Sequence, residues 1–228
     1  MQHFKQQIPL QNNLINNDGS LITSIKQATD IVKGLTTTEK MPSLSISLPA
    51  KDCKKGAILR KIKNSVCSDC YALKGNYTRY PAIVKAQEKR LIAINNPMWV
   101  NAMIYLLKHK KTIIDSGVFR WHDSGDIQNI EHLAKIIQVA KNTPKIKHWL
   151  PTKESRFIRE LKDFIPNNLV VRLSGSMIDG NAPKFDNTST VTTNKDNATC
   201  RSFENGGKCK DCRMCWNSSI KNISYFKH

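Results

Sequence analysis

Seven cysteines fall into two groups, and their spacing is the first sign of chemistry in the chain. Toward the C-terminus, Cys200 precedes Cys209, Cys212 and Cys215, the last three in a Cys-x2-Cys-x2-Cys run. Two intervening residues let neighbouring thiolates reach one centre. Four thiolates complete either tetrahedral zinc or a 4Fe–4S cluster. Lys208, Lys210 and Arg213 surround the run, and nearby cations favour the thiolate. The earlier group is Cys53, Cys67 and Cys70, with Tyr71 directly after it. Three thiolates suit a centre that keeps one position open, or one that borrows a fourth ligand such as His122. An odd cysteine count and no leader-like N-terminal stretch argue against a disulfide framework and for an intracellular protein.

The third constellation is His122-Asp123-Ser124-Gly125-Asp126. A histidine and two carboxylates at the end of a strand can exchange protons, complete a metal site or bind a polar substrate. The same residue types also cap helices. His122, Asp123 and Asp126 are therefore the candidate catalytic residues. Tyr71, Ser124, Gly125, Lys153 and Ser174 are candidates for contacting a cofactor. Thr152, Arg172 and Ser176 could share anion binding with Lys153 and Ser174.

These residues need elements to hold them. Alternation predicts strands at 44–48, 118–122, 147–150, 169–173 and 190–192, with a final strand or helix at 220–226. Helical periodicity predicts helices at 24–34, 83–95, 97–110, 130–141 and 156–163. Strand and helix alternate, which implies parallel βαβ units. The expected fold is α/β, a partial (β/α) barrel or an open parallel sheet, with a Cys-rich C-terminal metal-binding tail. The divisions are an N-terminal arm and helix at 1–40, an α/β catalytic-like core at 41–195 and the tail at 196–228. In such folds ligands bind at the carboxyl ends of the strands, where the polar clusters of this chain fall.

The chain has 228 residues and a formal net charge of +18, from 36 Lys+Arg against 18 Asp+Glu. That excess attracts polyanions, so nucleic acid or a nucleotide is the expected partner. The apolar stretch at 98–107 is too short to span a bilayer, and no membrane partner is expected. The charge and spacing leave the oligomeric state open.

Cys-x2-Cys-aromatic after a first strand resembles the cluster-binding loop of radical S-adenosylmethionine enzymes. Those typically use Cys-x3-Cys-x2-Cys, whereas thirteen residues separate Cys53 from Cys67. The Asp-Ser-Gly block also resembles a motif of tRNA-guanine transglycosylases, whose zinc site Cys209, Cys212, Cys215 and His228 loosely resemble. The closest resemblance is carried by several blocks together. They are Cys67-Ser68-Asp69-Cys70-Tyr71-Ala72, Tyr80-Pro81-Ala82-Ile83-Val84, His122-Asp123-Ser124-Gly125-Asp126, Thr152-Lys153 and Cys209-Lys210-Asp211-Cys212-Arg213-Met214-Cys215-Trp216. Over most of 44–228 the chain resembles the bacteriophage gene product 88 family. That resemblance implies a phage or mobile-element origin and action in the host cytoplasm. The leading expectation is a radical-SAM-like iron–sulfur metalloenzyme that modifies a nucleobase or nucleic acid, with one or two clusters and S-adenosylmethionine. The alternatives are a zinc-containing base-exchange enzyme on DNA or tRNA, and a non-catalytic, zinc-stapled nucleic-acid-binding protein.

Overall fold

The computed structural model describes residues 22–227. The expected N-terminal arm lies mostly outside them, as does His228. Six strands form one sheet, all parallel, in the order β1 to β6 along the chain. They are β1 (Ser45–Ile46), β2 (Val118–Trp121), β3 (Lys147–Thr152), β4 (Leu169–Ile178), β5 (Thr188–Thr192) and β6 (Asn222–Phe226). Parallel strands in sequential order are the arrangement of a (β/α) barrel. Here β1 and β6 remain edges, so the sheet is open.

Among the described residues, eight α-helices accompany them: α1 (Ile25–Val32), α2 (Lys54–Leu59), α3 (Asn76–Arg79), α4 (Pro81–Ala93), α5 (Trp99–His109), α6 (Lys111–Ser116), α7 (Ile130–Lys141) and α8 (Ser155–Glu160). Their ends follow local chemistry. Ser24 caps α1 by accepting from the Gln27 amide, and Asn129 caps α7 by accepting from the His132 amide. Pro81 opens α4 at a position whose N–H has no helical partner, and Gly117 closes α6 with φ of 65°.

Strand alternation sorts side chains between two faces. Phe119 and Trp121 enter the main core with Trp99, Met103 and Leu107 of α5 and Leu133, Ile136 and Ile137 of α7. Val118 and Trp149 enter a second, smaller core with Cys215, Trp216 and Ile223. Helices cover the first face. The second is covered by the β5–β6 connection, residues 193–221, whose short turn Met214–Trp216 packs on β3 and β4. The Cys-rich tail is thus part of the fold, a lining of the sheet.

Every expected strand is present. β4 runs on to Ile178 because the β1–α4 excursion extends its ladder: Val66 N–H donates to Ser176 O and Ile178 N–H to Asn64 O. The 220–226 segment resolves as a strand beside β5. The short helices α2, α3 and α6 were not expected, since four to six residues carry no readable period.

Candidate functional site at the carboxyl edge of the sheet

The residues after β1, β2, β3 and β4 meet at one edge. Asp123 is buried and fully partnered. One carboxylate oxygen accepts from Ser45 Oγ (2.6 Å) and the other from Tyr77 Oη (2.9 Å). The Asp123 carbonyl accepts from Tyr71 Oη (2.5 Å). Asp123 therefore ties the aromatic loop after Cys70 to the ends of β1 and β2.

Ser124 and Gly125 sew β1 to β2. Ser124 Oγ donates to Leu48 O (2.9 Å), and Leu48 N–H donates to Ser124 O (2.8 Å). Gly125 has φ of 84°, and a Cβ there would lie 2.6 Å from Leu48 Cβ, so only glycine fits. Asp126 joins β2 to β3 by accepting from Thr152 Oγ1 (2.6 Å) and the Lys153 amide (2.9 Å). Burial pushes its carboxyl up to about 6, against the pull of those hydrogen bonds. Lys153 Nζ donates to Gly175 O, and burial lowers its pKa despite nearby Cys67 and Asp126. Ser174 Oγ accepts from Ser189 Oγ (3.1 Å), one layer along β4.

The first cysteine group gathers here. Gly56 of α2 packs against it: a Cβ on Gly56 would lie 2.9 Å from Cys53 Cβ, 3.8 Å from Cys67 Sγ and 3.9 Å from Cys53 Sγ. Both thiols therefore converge on one bare Cα. Burial pushes the Cys53 thiol up, reinforced by the Asp126 carboxylate and by Cys70 and Cys67. Burial also raises Cys67, while Lys153 opposes the shift. All three thiols are free.

The second group lies across the other face of the sheet. Arg172, fully buried, organises it by donating to the carbonyls of Met214, Cys215, Asn217, Ile220 and Thr188 at 2.7–3.4 Å. Its guanidinium is fully spent on backbone, not on an anion. Trp216 Nε1 donates to Phe119 O (2.8 Å), and Cys215 Sγ lies 3.2 Å from Tyr225 Oη. Burial pushes the Cys215 thiol up to about 12 and raises Cys209, which also feels Cys200 and Cys212. Among the described residues, no three His, Cys, Asp or Glu side chains stand close enough to hold a single metal ion.

Arg120 lies between the groups. Its Cζ is 4.6 Å from the Trp149 ring centroid. Burial would lower its pKa, but Tyr71, Asp123, Tyr225 and Cys215 outweigh that and hold it raised. His122 goes elsewhere. With φ of 53°, it packs its buried ring 5.2 Å from His132 of α7 rather than against either cysteine group. Among the described residues neither ring nitrogen has a hydrogen-bond partner, and burial lowers its pKa to about 3.

Of the expected site residues, Cys53, Cys67, Asp123, Asp126 and Lys153 converge with Tyr71. Tyr77, Arg120 and Gly56 were not anticipated. Arg120 and Arg172 did leave a trace: each interrupts an apolar strand, as a cation facing a covered side must.

The fold and site define an α/β protein with an open, sequentially ordered parallel sheet and two cysteine groups, one at its carboxyl edge. The family model described as Gene product 88 matches residues 20–218, and the chain belongs to that bacteriophage family. No curated protein and no solved structure matches the chain. No helix among the described residues is long and apolar enough to cross a membrane.

Proposed function

We propose that this protein is an iron–sulfur enzyme, radical-SAM-like in its chemistry, that modifies a nucleobase. The observation that carries the reading is the convergence of Cys53 and Cys67 on Gly56 at the carboxyl edge, with Cys70 in electrostatic reach of both. Thiols spread too widely for one ion still suit a cluster, whose ligand sulfurs stand farther apart than those around a single metal. Three thiolates also leave one iron open, the requirement for a reactive centre. A cluster there, with S-adenosylmethionine, would supply one-electron cleavage of the cofactor and so a carbon radical. The chain's own residues define what surrounds it. Lys153 offers a cation beside Cys67, Asp126 a buried carboxyl raised to about 6, and Tyr71, which follows Cys70 in the chain, a hydroxyl on the Asp123 carbonyl. Cys200, Cys209, Cys212 and Cys215 would hold a second centre on the other face.

The test is anaerobic purification followed by iron, acid-labile sulfide and zinc analysis. A brown protein with iron and sulfide that cleaves S-adenosylmethionine under reduction supports the reading. A colourless protein with zinc alone overturns it and points to base exchange. Asp123→Asn, which keeps an oxygen acceptor for one of Ser45 and Tyr77 and turns an amide donor toward the other, is expected to retain iron and fold but lose turnover. Wild-type turnover in that variant would remove Asp123 from the reaction.

A further inference from the structure

The β1–α4 excursion that carries Cys53, Cys67 and Cys70 has an outer surface unlike the rest of the molecule. Between residues 51 and 80 stand eight Lys or Arg against two Asp, a net +6 that is a third of the chain's +18. Lys54, Lys55, Lys61, Lys63 and Arg79 are all exposed. The excursion's ion pairs are Lys51–Glu88 and Lys74–Asp69, which leave those five cations without an acidic partner among the described residues. Large apolar side chains stand out on the same excursion: Ile58 is 60% exposed, Tyr71 53%, Tyr80 49% and Ile62 44%. Met177, which neighbours it through the Ser65–Met177 bridge, is 36% exposed.

We infer that this excursion is a docking surface for single-stranded nucleic acid, which it delivers to the carboxyl-edge site. Unpaired cations supply the sequence-independent attraction to phosphates. Exposed tyrosine rings and branched apolar side chains between them suit the faces of bases, which a duplex keeps stacked and a single strand exposes. A duplex keeps the base faces stacked and presents phosphates and groove edges, so Ile58, Ile62 and Tyr80 would find no base face against it. Tyr71 links surface to site: its ring is half exposed while its hydroxyl reaches the Asp123 carbonyl. Because the site lies beneath the excursion, a target base reaches it only when turned out of a stack. The substrate class rests on the proposed base chemistry, but the binding itself does not require a cluster.

The test is fluorescence anisotropy with the full chain, using a labelled single-stranded oligonucleotide, the blunt duplex of the same sequence and metal-free polyphosphate as competitor. The single strand is expected to bind at least about tenfold tighter than the duplex and to resist polyphosphate. Lys61→Glu/Lys63→Glu should weaken binding by more than about tenfold and flatten its salt dependence. Ile58→Ser/Tyr80→Ser should weaken it several-fold with the salt dependence kept. Lys145→Glu/Lys147→Glu, at the opposite end of β3, should change it least. Equal affinity for the duplex, complete competition by polyphosphate, or unchanged binding in the excursion variants with unchanged melting temperature would overturn the inference. Iron content is read on the same preparations. Iron without strand binding removes the surface and leaves the enzyme reading; strand binding by an iron-free protein does the reverse.

Discussion

His122 shows how far one residue can depart from the role its neighbours suggest. It sits in a block of acidic and small residues, yet its backbone turns left-handed and its ring enters the helical core beside His132. Burial holds it neutral down to about 3, against an ordinary value of 6.5. The unfolded chain therefore takes up that proton first as pH falls below 6.5, and stability is lost progressively from there toward pH 3. His148, lowered to about 3 by burial, adds a contribution of the same sign. His122→Asn tolerates the positive φ and removes one titration. Urea unfolding across pH 4–6 should show a slope shallower by up to about 1.4 kcal/mol per pH unit. An unchanged slope would mean that the ring is already solvated. Gly125 obeys a steric rule instead. Gly125→Ala brings a methyl group to 2.6 Å from Leu48 Cβ at a φ of 84°. It should cost at least about 2 kcal/mol in denaturant unfolding, and a neutral result would show that the β1–β2 corner yields.

Between residue and molecule, the β5–β6 connection is the element that departs most from a simple alternating chain. Its only helical pieces are two short 3-10 turns, Ser202–Asn205 and Met214–Trp216, and it crosses the face opposite the others, stapled there by Arg172. Replacing that side chain removes one donor from each of the Met214, Asn217 and Ile220 carbonyls, which keep another, and leaves the buried Cys215 carbonyl with none among the described residues. Arg172→Met is expected to lose about 1–3 kcal/mol, through the unsatisfied Cys215 carbonyl rather than lost charge pairing. It should also expose Cys215 to thiol reagents and the 199–221 segment to protease. Thiol reactivity equal to wild type would show the tail held by Trp149, Trp216 and Ile223 alone. The strand run Leu169-Val170-Val171-Arg172-Leu173 was readable as a strand, but the destination of its arginine depends on a tail some forty residues later.

At the scale of the whole molecule, one cysteine group sits at the carboxyl edge, Cys215 of the other packs on a sheet face, and Arg120 feels Tyr71 and Asp123 as well as Tyr225 and Cys215. If each group binds its own centre, Cys67→Ser and Cys212→Ser should each lower iron content in part, and only the combined variant should abolish it. Complete loss from either single substitution would instead indicate one shared site. The α/β class, most of the helices, every strand position and the cysteine grouping were legible in order along the chain, because alternation, helical period, capping and ligand spacing are local. Three things depended on the tertiary fold. Cys215, the last of the Cys-x2-Cys-x2-Cys run, packs on a sheet face because the alternation of β2 and β3 leaves Val118 and Trp149 to be covered. His122 leaves the site because a left-handed turn reverses the side its strand position would give. Cys53 and Cys67 come to the same side of Gly56 because α2 folds the intervening chain back, and a side chain at Gly56 would press on the Cys53 Cβ at 2.9 Å. Each outcome is set by which distant segment fills a space, and spacing along the sequence does not encode that.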